Sequence, residues 1–352
     1  MVNKKLLGTL VIALVLLFGC KDEENKANDP NPTKPVSGDD VGTIIEEDPI
    51  YVAPLTGEIV EEEITQRPIA VTINNHPLAR PHAGISSADI VYELLVEGEY
   101  TRFLAIYQSQ LPEQIGPIRS ARDYLIQLAK GLDSFYLAHG YSPSALELLN
   151  SGTIDHANGM RYDGVYFLRS SSRKAPHNSY ISAENVRAVA GKVGIDLTLH
   201  KKTEMTFYDS IESVKIGNSA SKIQMNYFSS NASSNSTYTY DEKSQTYLKA
   251  YGTQAMLDEL TNSQVAVSNV LFFEAPHRVA DGEGRRIITL SDGGNAYVFQ
   301  AGVMREVAWK NKNGVLVAVE EDGSEVKLIP GKTWVHLVPT SPGLTKSVLY
   351  SE

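Results

Sequence analysis

Residues 89–108 read DIVYELLVEGEYTRFLAIYQ, and this stretch decides the fold of the segment around it. Residues 89–97 carry acids at every fourth position with apolar residues between them, and residues 101–108 are rich in β-branched and aromatic side chains. Both patterns predict β-strands, and Gly98-Glu99 between them predicts a hairpin turn. Because side chains alternate between the two faces of a strand, we expect Ile90, Tyr92, Leu94 and Val96 to face the core.

The sequence on either side of this hairpin alternates strands with helices. Pro68–Ile73 is a short apolar run that predicts a strand, and Gly116-Pro117 opens a predicted helix over 118–130 because proline is favoured in the first helical turn. Further strands are predicted at Ser134–His139 and Val165–Leu168, and further helices at Pro143–Leu149 and Ser182–Val193. This order is typical of a layered α/β domain with a mixed sheet, which we place at residues 51–200.

The second half of the chain has a different pattern. Turn-forming glycines recur about every ten residues between Gly282 and Gly331, with short β-rich runs between and before them. These runs are Val265–Phe273, Ile287–Leu290, Ala296–Gln300, Val315–Val319 and Thr333–Val338. The spacing predicts a mainly antiparallel β domain at residues 201–352, so the whole chain is expected to belong to the α+β class.

The first twenty residues have the order of a secretory signal peptide. Lys4 and Lys5 precede an apolar run, Leu6–Phe18, which is shorter than the roughly 20 residues that a transmembrane helix needs. The residues before Cys20 resemble the bacterial lipobox, although Phe18 is bulkier than the residue usual there. We expect residues 1–19 to be a cleaved signal and Cys20 to be diacylated, since two chains give stable attachment. The alternative is an ordinary signal peptide with an incidental cysteine.

The amino-acid composition further narrows the kinds of protein and of site that are possible. Cys20 is the one cysteine in 352 residues, which excludes disulfides and cysteine-based metal or redox sites. Residues 20–50 hold the lipidated cysteine and an acidic, proline-interrupted segment that predicts a disordered tether. The formal net charge is −10, which argues against nucleic-acid binding. We therefore expect a protein of the cell membrane, held by its acyl anchor on the extracytoplasmic face.

Charged residues around the hairpin form a candidate polar cluster. Asp89, Glu93 and Glu97 share one face of the predicted strand, and we expect that face to lie in water or to meet cations. Nearby cations are Arg102 on the next strand and Arg119 and Arg122, which would share a helix face at i, i+3. A structural salt-bridge cluster is the plain interpretation of this arrangement.

The functional interpretation is an anion site at the predicted helix start. Free backbone N–H groups there would combine with Arg119, Ser120 and Arg122, and with Arg102 from the neighbouring strand. Two further segments are expected to converge on this site. One carries His139 at the end of a strand, and the other is a basic loop with Arg173, His177 and Asn178. His76 and His82 flank a loop containing proline and arginine and are interpreted as turn residues.

Several of these motifs carry a family resemblance. Residues 67–71, 79–84, 88–93, 96–98, 101–102, 116–122 and 175–178, with Pro330–Val335, resemble the YerB-type lipoproteins, a two-domain family of unknown function. The match extends over about residues 65–340, and it departs from the family at His82, where glutamine is more usual. The resemblance implies a two-domain lipoprotein and assigns no role to any residue.

Three functions remain open from the sequence. The favoured one is a non-catalytic module that binds an anionic envelope polymer, a lipid-linked precursor or a protein partner, with no cofactor. The second is an enzyme similar to the LytR-CpsA-Psr transferases, in which arginines grip phosphates while Asp89 or Glu93 holds Mg²⁺. The third is a purely structural or interaction lipoprotein. No catalytic residue and no metal site is assigned.

Overall fold

The fold is taken from a computed structural model, which describes residues 49–203, 205–214, 217–228 and 232–352. The predicted signal peptide, Cys20 and the tether up to residue 48 lie outside the described residues. Residues Pro49–Glu352 form one compact unit that contains both hydrophobic core clusters. Because both core clusters are formed by residues within this unit, we expect a chain starting at Pro49 to fold on its own.

The first half alternates strands and helices as predicted. Its strands are β1 Tyr51–Val52, β2 Ile59–Val60, β3 Ile69–Asn74, β4 Ile90–Leu95, β5 Thr101–Tyr107, β6 Gln114–Ile115, β7 Phe135–Ala138, β8 His156–Asn158, β9 Leu168–Arg169 and β10 Ser179–Ser182. Its helices are α1 Asp123–Gly131, α2 Pro143–Asn150, α3 Gly159–Tyr162 and α4 Ala183–Val193. Ser182 caps α4 as predicted, because its side chain accepts a hydrogen bond from the Asn185 N–H.

The second half is mainly strands. They are β11 Asn218–Ser219, β12 Lys222–Met225, β13 Ser236–Asp241, β14 Thr246–Tyr251, β15 Gln254–Ala255, β16 Ala266–Val267, β17 Asn269–Ala275, β18 His277–Val279, β19 Arg286–Ile288, β20 Gly294–Gln300, β21 Val303–Lys312, β22 Val315–Val319, β23 Thr333–Pro339 and β24 Val348–Ser351. A short helix, α5 Leu344–Ser347, precedes β24. The α+β class is confirmed. No helix in the described ranges is long and apolar enough to cross a membrane.

One large sheet runs through both halves. Its order is β11-β21-β20-β17-β23-β4-β5-β3-β7-β8, with β22 beside β21, among the described residues. The halves meet where β23 pairs in parallel with β4 and Val335 lies opposite Tyr92. The predicted boundary at residue 200 stays a prediction.

Strand β4 is buried on both faces, so its acidic face does not lie in water. Of the two expected environments, Glu93 has the second, a cation, because the Lys249 ammonium lies 3.1 Å away. Ile90, Tyr92 and Leu94 pack with helix α1, as predicted. The opposite face, with Val91 and Leu95, packs against the second-half sheet that contains β12–β14. A central strand covered on both sides must bury its polar residues too, so they need partners.

The predicted helix over 118–130 begins later than expected. Helix α1 starts at Asp123, and Arg122 has extended backbone angles (φ −132°, ψ 151°). Residues 116–122 instead run as extended chain across the ends of β3 and β7. The N–H groups of Arg119 and Ala121 donate to the carbonyl oxygens of Thr72 (2.8 Å) and Gly140 (3.0 Å). The prediction that Arg119 and Arg122 share a helix face is therefore wrong.

Candidate functional site

The candidate site lies at one edge of the large sheet, where three parallel strands end. Strands β3, β7 and β8 are parallel neighbours, so their carboxyl ends meet at this edge. Asn74 ends β3, His139 follows β7, and Asn158 ends β8. Residues 116–122 cross the same edge and add Arg119 and Ser120. Ligands of α/β sheets commonly bind at such an edge, because loops from several strands converge there.

Arg102 and Arg122 are not free to bind a ligand, because both guanidiniums contact the Glu97 carboxylate. The guanidinium of Arg122 forms a forked contact with this carboxylate, with Nη2 2.6 Å from each oxygen and Nε 3.1 Å from Oε2. Arg102 also donates to Glu97 and, at 2.8 Å, to the Ser120 carbonyl oxygen. Although burial alone would raise it, the pKa of Glu97 falls to about 2 because of the two arginines. For these two arginines the salt-bridge interpretation holds.

Arg119 differs from its neighbours. Its side chain is half-buried, and no hydrogen bond or ion pair to it is found among the described residues. Burial lowers its pKa, partly offset by the negative charge of Glu97. A half-buried guanidinium without a carboxylate contact has lost water without gaining a partner. Arg119 is therefore the cation of the predicted set that is poised for an external anion.

Two stacked histidines lie beside Arg119. The rings of His76 and His177 are 4.5 Å apart. Nδ1 of His76 accepts from the Leu78 N–H at 3.1 Å, and Nδ1 of His177 accepts from the Asn74 side-chain amide at 2.9 Å. With Nδ1 used as an acceptor, each neutral ring carries its proton on Nε2 and presents it as a donor.

The pKa values of both histidines lie below the ordinary value for this side chain, which favours the neutral rings at neutral pH. Burial, followed by the charges of Arg80 and Arg119, lowers the pKa of His76. Burial, His76 and Arg119 lower the pKa of His177. The Arg119 N–H donates to Thr72 near the end of β3, and His76 follows that strand while His177 contacts its last residue, Asn74, so the three side chains start from the same strand end. The edge thus offers one guanidinium and two imidazole N–H donors, a set that suits a phosphate or carboxylate.

His139 looks like the centre of a catalytic triad, but its partners exclude that role. Its Nδ1 lies 2.7 Å from Ser179 Oγ, and its Nε2 lies 2.9 Å from Arg169 and 3.8 Å from Asp163. Ser179 is fully buried, so its hydroxyl cannot reach a substrate carbonyl. Burial and Arg169 lower the pKa of His139, which is a neutral ring held between Ser179 and Arg169.

Asp89 and Glu93 do not belong to this site, which corrects the predicted polar cluster. Asp89 accepts hydrogen bonds from Ser109 and from the backbone N–H groups of Gln108 and Ser109. Glu93 lies opposite Phe103 and Leu94 opposite Arg102, so Glu93 and Arg102 point to opposite faces of the sheet. Neither carboxylate can hold a metal beside Arg119, and no group of metal ligands is found among the described residues.

The basic loop contributes only part of what was expected. Arg173 turns away from the site and pairs with Glu259 at 3.0 Å. Asn178 is buried, donates to the carbonyl oxygens of Ser170 and Arg173, and accepts from Arg169. Ser120 is half-buried, and its hydroxyl reaches the His139 carbonyl oxygen at 3.3 Å. Of this loop, His177 is the residue whose side chain offers a donor to the site.

Comparison with known proteins places the chain in a family. The domain described as "Protein of unknown function (DUF3048) N-terminal domain" matches residues 55–196, and the corresponding C-terminal domain matches residues 223–335. The chain belongs to the DUF3048 family. The predicted resemblance is confirmed.

Two relatives extend this DUF3048 assignment over most of the chain. The Bacillus subtilis (strain 168) protein named "Putative lipoprotein YerB" is 42% identical over 288 residues, covering 82% of this chain and 86% of the relative. A crystal structure of the YerB protein from Bacillus subtilis superposes with a TM-score of 0.79 at 40% identity, covering 86% of this chain and 99% of that one. The two-domain α+β fold is therefore shared across the DUF3048 family members compared.

Several site residues of this DUF3048 chain were missed in the sequence. His76 was interpreted as a turn residue, yet its ring stacks on His177 and lies 4.7 Å from the Tyr100 ring. Arg169 was not singled out, although it orients His139. Asn74-Asn75-His76 directly after a predicted strand was a usable signal, because ligand-binding side chains often follow strand ends. Arg169 gave no comparable signal.

Proposed function

We propose that this chain is a membrane-anchored extracytoplasmic lipoprotein that binds an anionic envelope ligand at the edge around Arg119. The signal-like N-terminus with Cys20 and the printed name of the YerB relative support the anchor. The ligand carries phosphate or carboxylate groups, because only anions gain from a guanidinium and two imidazole N–H donors. Binding needs no catalytic residue and no cofactor.

The main support for the proposal is Arg119, whose side chain has no hydrogen bond or ion pair among the described residues. Arg102 and Arg122, a few residues away, share Glu97, so their charges are already used. Arg119 has been left without such a contact at the point where three strand ends and the His76–His177 pair converge. A merely structural arginine in this position would be expected to pair or to extend into water.

Replacing Cys20 with alanine tests the anchor. The variant should incorporate no labelled palmitate and should be released from the membrane or remain an uncleaved precursor, because the thiol that accepts the lipid is gone. Metabolic labelling followed by membrane fractionation measures this. Cys20→Ala protein that is labelled as strongly as the wild type would show that the lipid is attached elsewhere.

Replacing Arg119 with glutamine tests the anion site. Sulfate is a suitable probe for calorimetric titration of a chain starting at Pro49. The variant should bind it roughly 10- to 100-fold more weakly, since a hydrogen bond to a charged group contributes about 1.5–3 kcal/mol. Arg187→Gln on α4 is the matched control, because it removes the same charge from an exposed position. Equal weakening by both variants would reduce the effect to net charge and contradict the site.

A second arm of this titration varies pH. Sulfate keeps its charge between about pH 5.5 and 7.5, whereas His76 and His177, neutral at the upper limit, can gain protons beside a bound anion. Binding should therefore tighten as pH falls and weaken as pH rises through the histidine pKa values of the complex. His177→Gln should flatten this dependence. Affinity that is independent of pH in the wild type, together with unchanged sulfate binding by His177→Gln, would contradict a role of His177 in the site.

A further inference from the structure

Large apolar side chains are exposed on four segments near the candidate site. Leu78 is 66% exposed, Tyr100 37%, Tyr141 39% and Met160 62%. We call these four residues the apolar rim. Scattered exposed apolar residues are ordinary on a protein surface, but a group that surrounds a cationic centre points to an interaction.

Leu78 and Tyr100 contact His76 directly, whereas Tyr141 and Met160 lie on segments next to the site. The Leu78 N–H donates to His76 Nδ1, and the Tyr100 ring lies 4.7 Å from the His76 ring. Tyr141 forms a β-bridge with Ala121, two residues after Arg119. The Met160 N–H donates at 3.0 Å to Asn158 Oδ1, which also accepts from the Gly140 N–H. The rim residues and the donors therefore lie on segments that meet at the same edge of the large sheet.

An open cleft lies beside these segments. It has a volume of about 620 Å³, and its lining combines the apolar side chains of Tyr141, Leu146, Leu149, Ile154 and Met160 with polar ones that include Asp155, Asn158 and Arg161. This volume lies within the roughly 300–1,000 Å³ typical of small-molecule sites. A ligand whose anionic group meets Arg119 can thus place an apolar portion against the rim and the cleft.

We propose that the ligand is a lipid with a terminal phosphate headgroup, an inference that rests on the proposed anion site. A terminal phosphate offers three unesterified oxygens, enough for the forked Arg119 guanidinium and the two imidazole N–H groups together, whereas a phosphodiester offers two. The apolar rim gains by covering the first part of the lipid chain, which a free phosphate does not provide.

The net charge of the chain and the span of residues 20–48 are both compatible with a ligand that lies in the bilayer. The chain carries a formal net charge of −10, so general attraction to anionic membranes cannot hold it there and recognition must be local. Fully extended, residues 20–48 span at most roughly 100 Å at about 3.5 Å per residue. A body anchored through Cys20 therefore stays within range of lipid headgroups in its own membrane.

Vesicle flotation tests the inference with a chain starting at Pro49, which carries no anchor that would hold every variant at the bilayer. It should bind phosphatidylcholine vesicles containing phosphatidic acid at least about tenfold more tightly than vesicles containing phosphatidylserine or phosphatidylcholine alone. The double variant Leu78→Ser/Met160→Ser should lose at least about tenfold of this binding and keep its sulfate affinity within about twofold. Val279→Ser, at an apolar position that is 58% exposed elsewhere, is the matched control and should bind as the wild type does.

Three outcomes would overturn the lipid assignment. They are equal binding to phosphatidic acid and phosphatidylserine vesicles, no effect of the double variant, and soluble glycerol phosphate binding as tightly as the vesicles. In each case, sulfate binding that still depends on Arg119 shows that the anion site itself is real and that its ligand is not a lipid. Loss of the Arg119 dependence as well would overturn both proposals.

Discussion

Replacing Lys249 with methionine is expected to destabilise the protein by about 3–5 kcal/mol, the cost of removing one partner of a buried ion pair. Lys249 is fully buried on β14, and its ammonium lies 3.1 Å from Glu93 on β4, which is also fully buried. Burial lowers the pKa of Lys249 to about 8 despite the opposing charge of Glu93. Without the lysine, Glu93 would keep its charge, or take up a proton, in the middle of the protein.

The contacts around the Lys249–Glu93 pair explain why neighbouring groups cannot compensate for the loss of the ammonium. The Lys249 ammonium also donates to Ser236 and Tyr238, and it lies 4.5 Å from the Trp334 ring. Trp334 in turn donates to Glu93 at 3.0 Å. The ammonium therefore has three acceptors, Glu93, Ser236 and Tyr238, and its removal leaves all three buried without this donor.

Urea unfolding followed by tryptophan fluorescence measures the effect, because one of the two tryptophans contacts Glu93 itself. Lys222→Met is the matched control, since Lys222 is exposed on β12 of the same sheet and should change stability by less than about 0.5 kcal/mol. Adding Glu93→Gln to Lys249→Met should restore part of the loss, because it removes the unpaired charge. A loss below about 1 kcal/mol in the single variant would contradict the buried pair.

This cluster also joins the two family domains. Glu93 lies in the segment that matches the N-terminal domain, whereas Lys249 and Trp334 lie in the segment that matches the C-terminal domain. The parallel pairing of β4 with β23 joins the same two segments. Unfolding of one domain would expose Glu93 without its partners, so we expect the two to unfold together.

Local patterns predicted the elements that have local causes. The hairpin of β4 and β5 follows from side-chain alternation and Gly98, whose positive φ of 64° suits glycine. Helix α4 follows from the Ser182 cap. Long-range partners gave no such signal: Glu93 could be recognised as an acid on a strand, but its lysine lies 156 residues later in the chain. The environment of the acidic face was therefore left open between water and cations.

The missed helix start has a similar cause. Gly116-Pro117 is compatible with a helix, and the residues after it have adequate helix propensity. In the fold, however, their backbone N–H groups find partners on β3 and β7, which a sequence window cannot show. That extended path separates Arg119 from Arg122, so Arg122 contacts Glu97, whereas the Arg119 side chain has no such contact among the described residues.

Replacing Glu97 with glutamine is expected to cost about 3 kcal/mol or more, because it leaves two buried guanidiniums side by side without a carboxylate. The side chains of Arg102 and Arg122 are 5% and 6% exposed, and both contact Glu97. Burial and the neighbouring charge of Arg122 lower the pKa of Arg102 to about 10 even with Glu97 present. A neutral amide can accept hydrogen bonds from these arginines but cannot balance their charge.

Glu113→Gln is the matched control, an exposed glutamate in the same domain that should change stability by less than about 0.5 kcal/mol. The penalty in Glu97→Gln should also depend on pH. Glu97 has a pKa of about 2 in the folded protein, against about 4.3 in an unfolded chain. Its contribution is therefore complete above the unfolded value and is lost as pH falls toward the folded one. Urea unfolding at several pH values should show wild type and variant converging in acid.

Arg119→Ala should cost less than about 1 kcal/mol throughout, and a loss as large as that of Glu97→Gln would place Arg119 in the structural cluster instead of the ligand site.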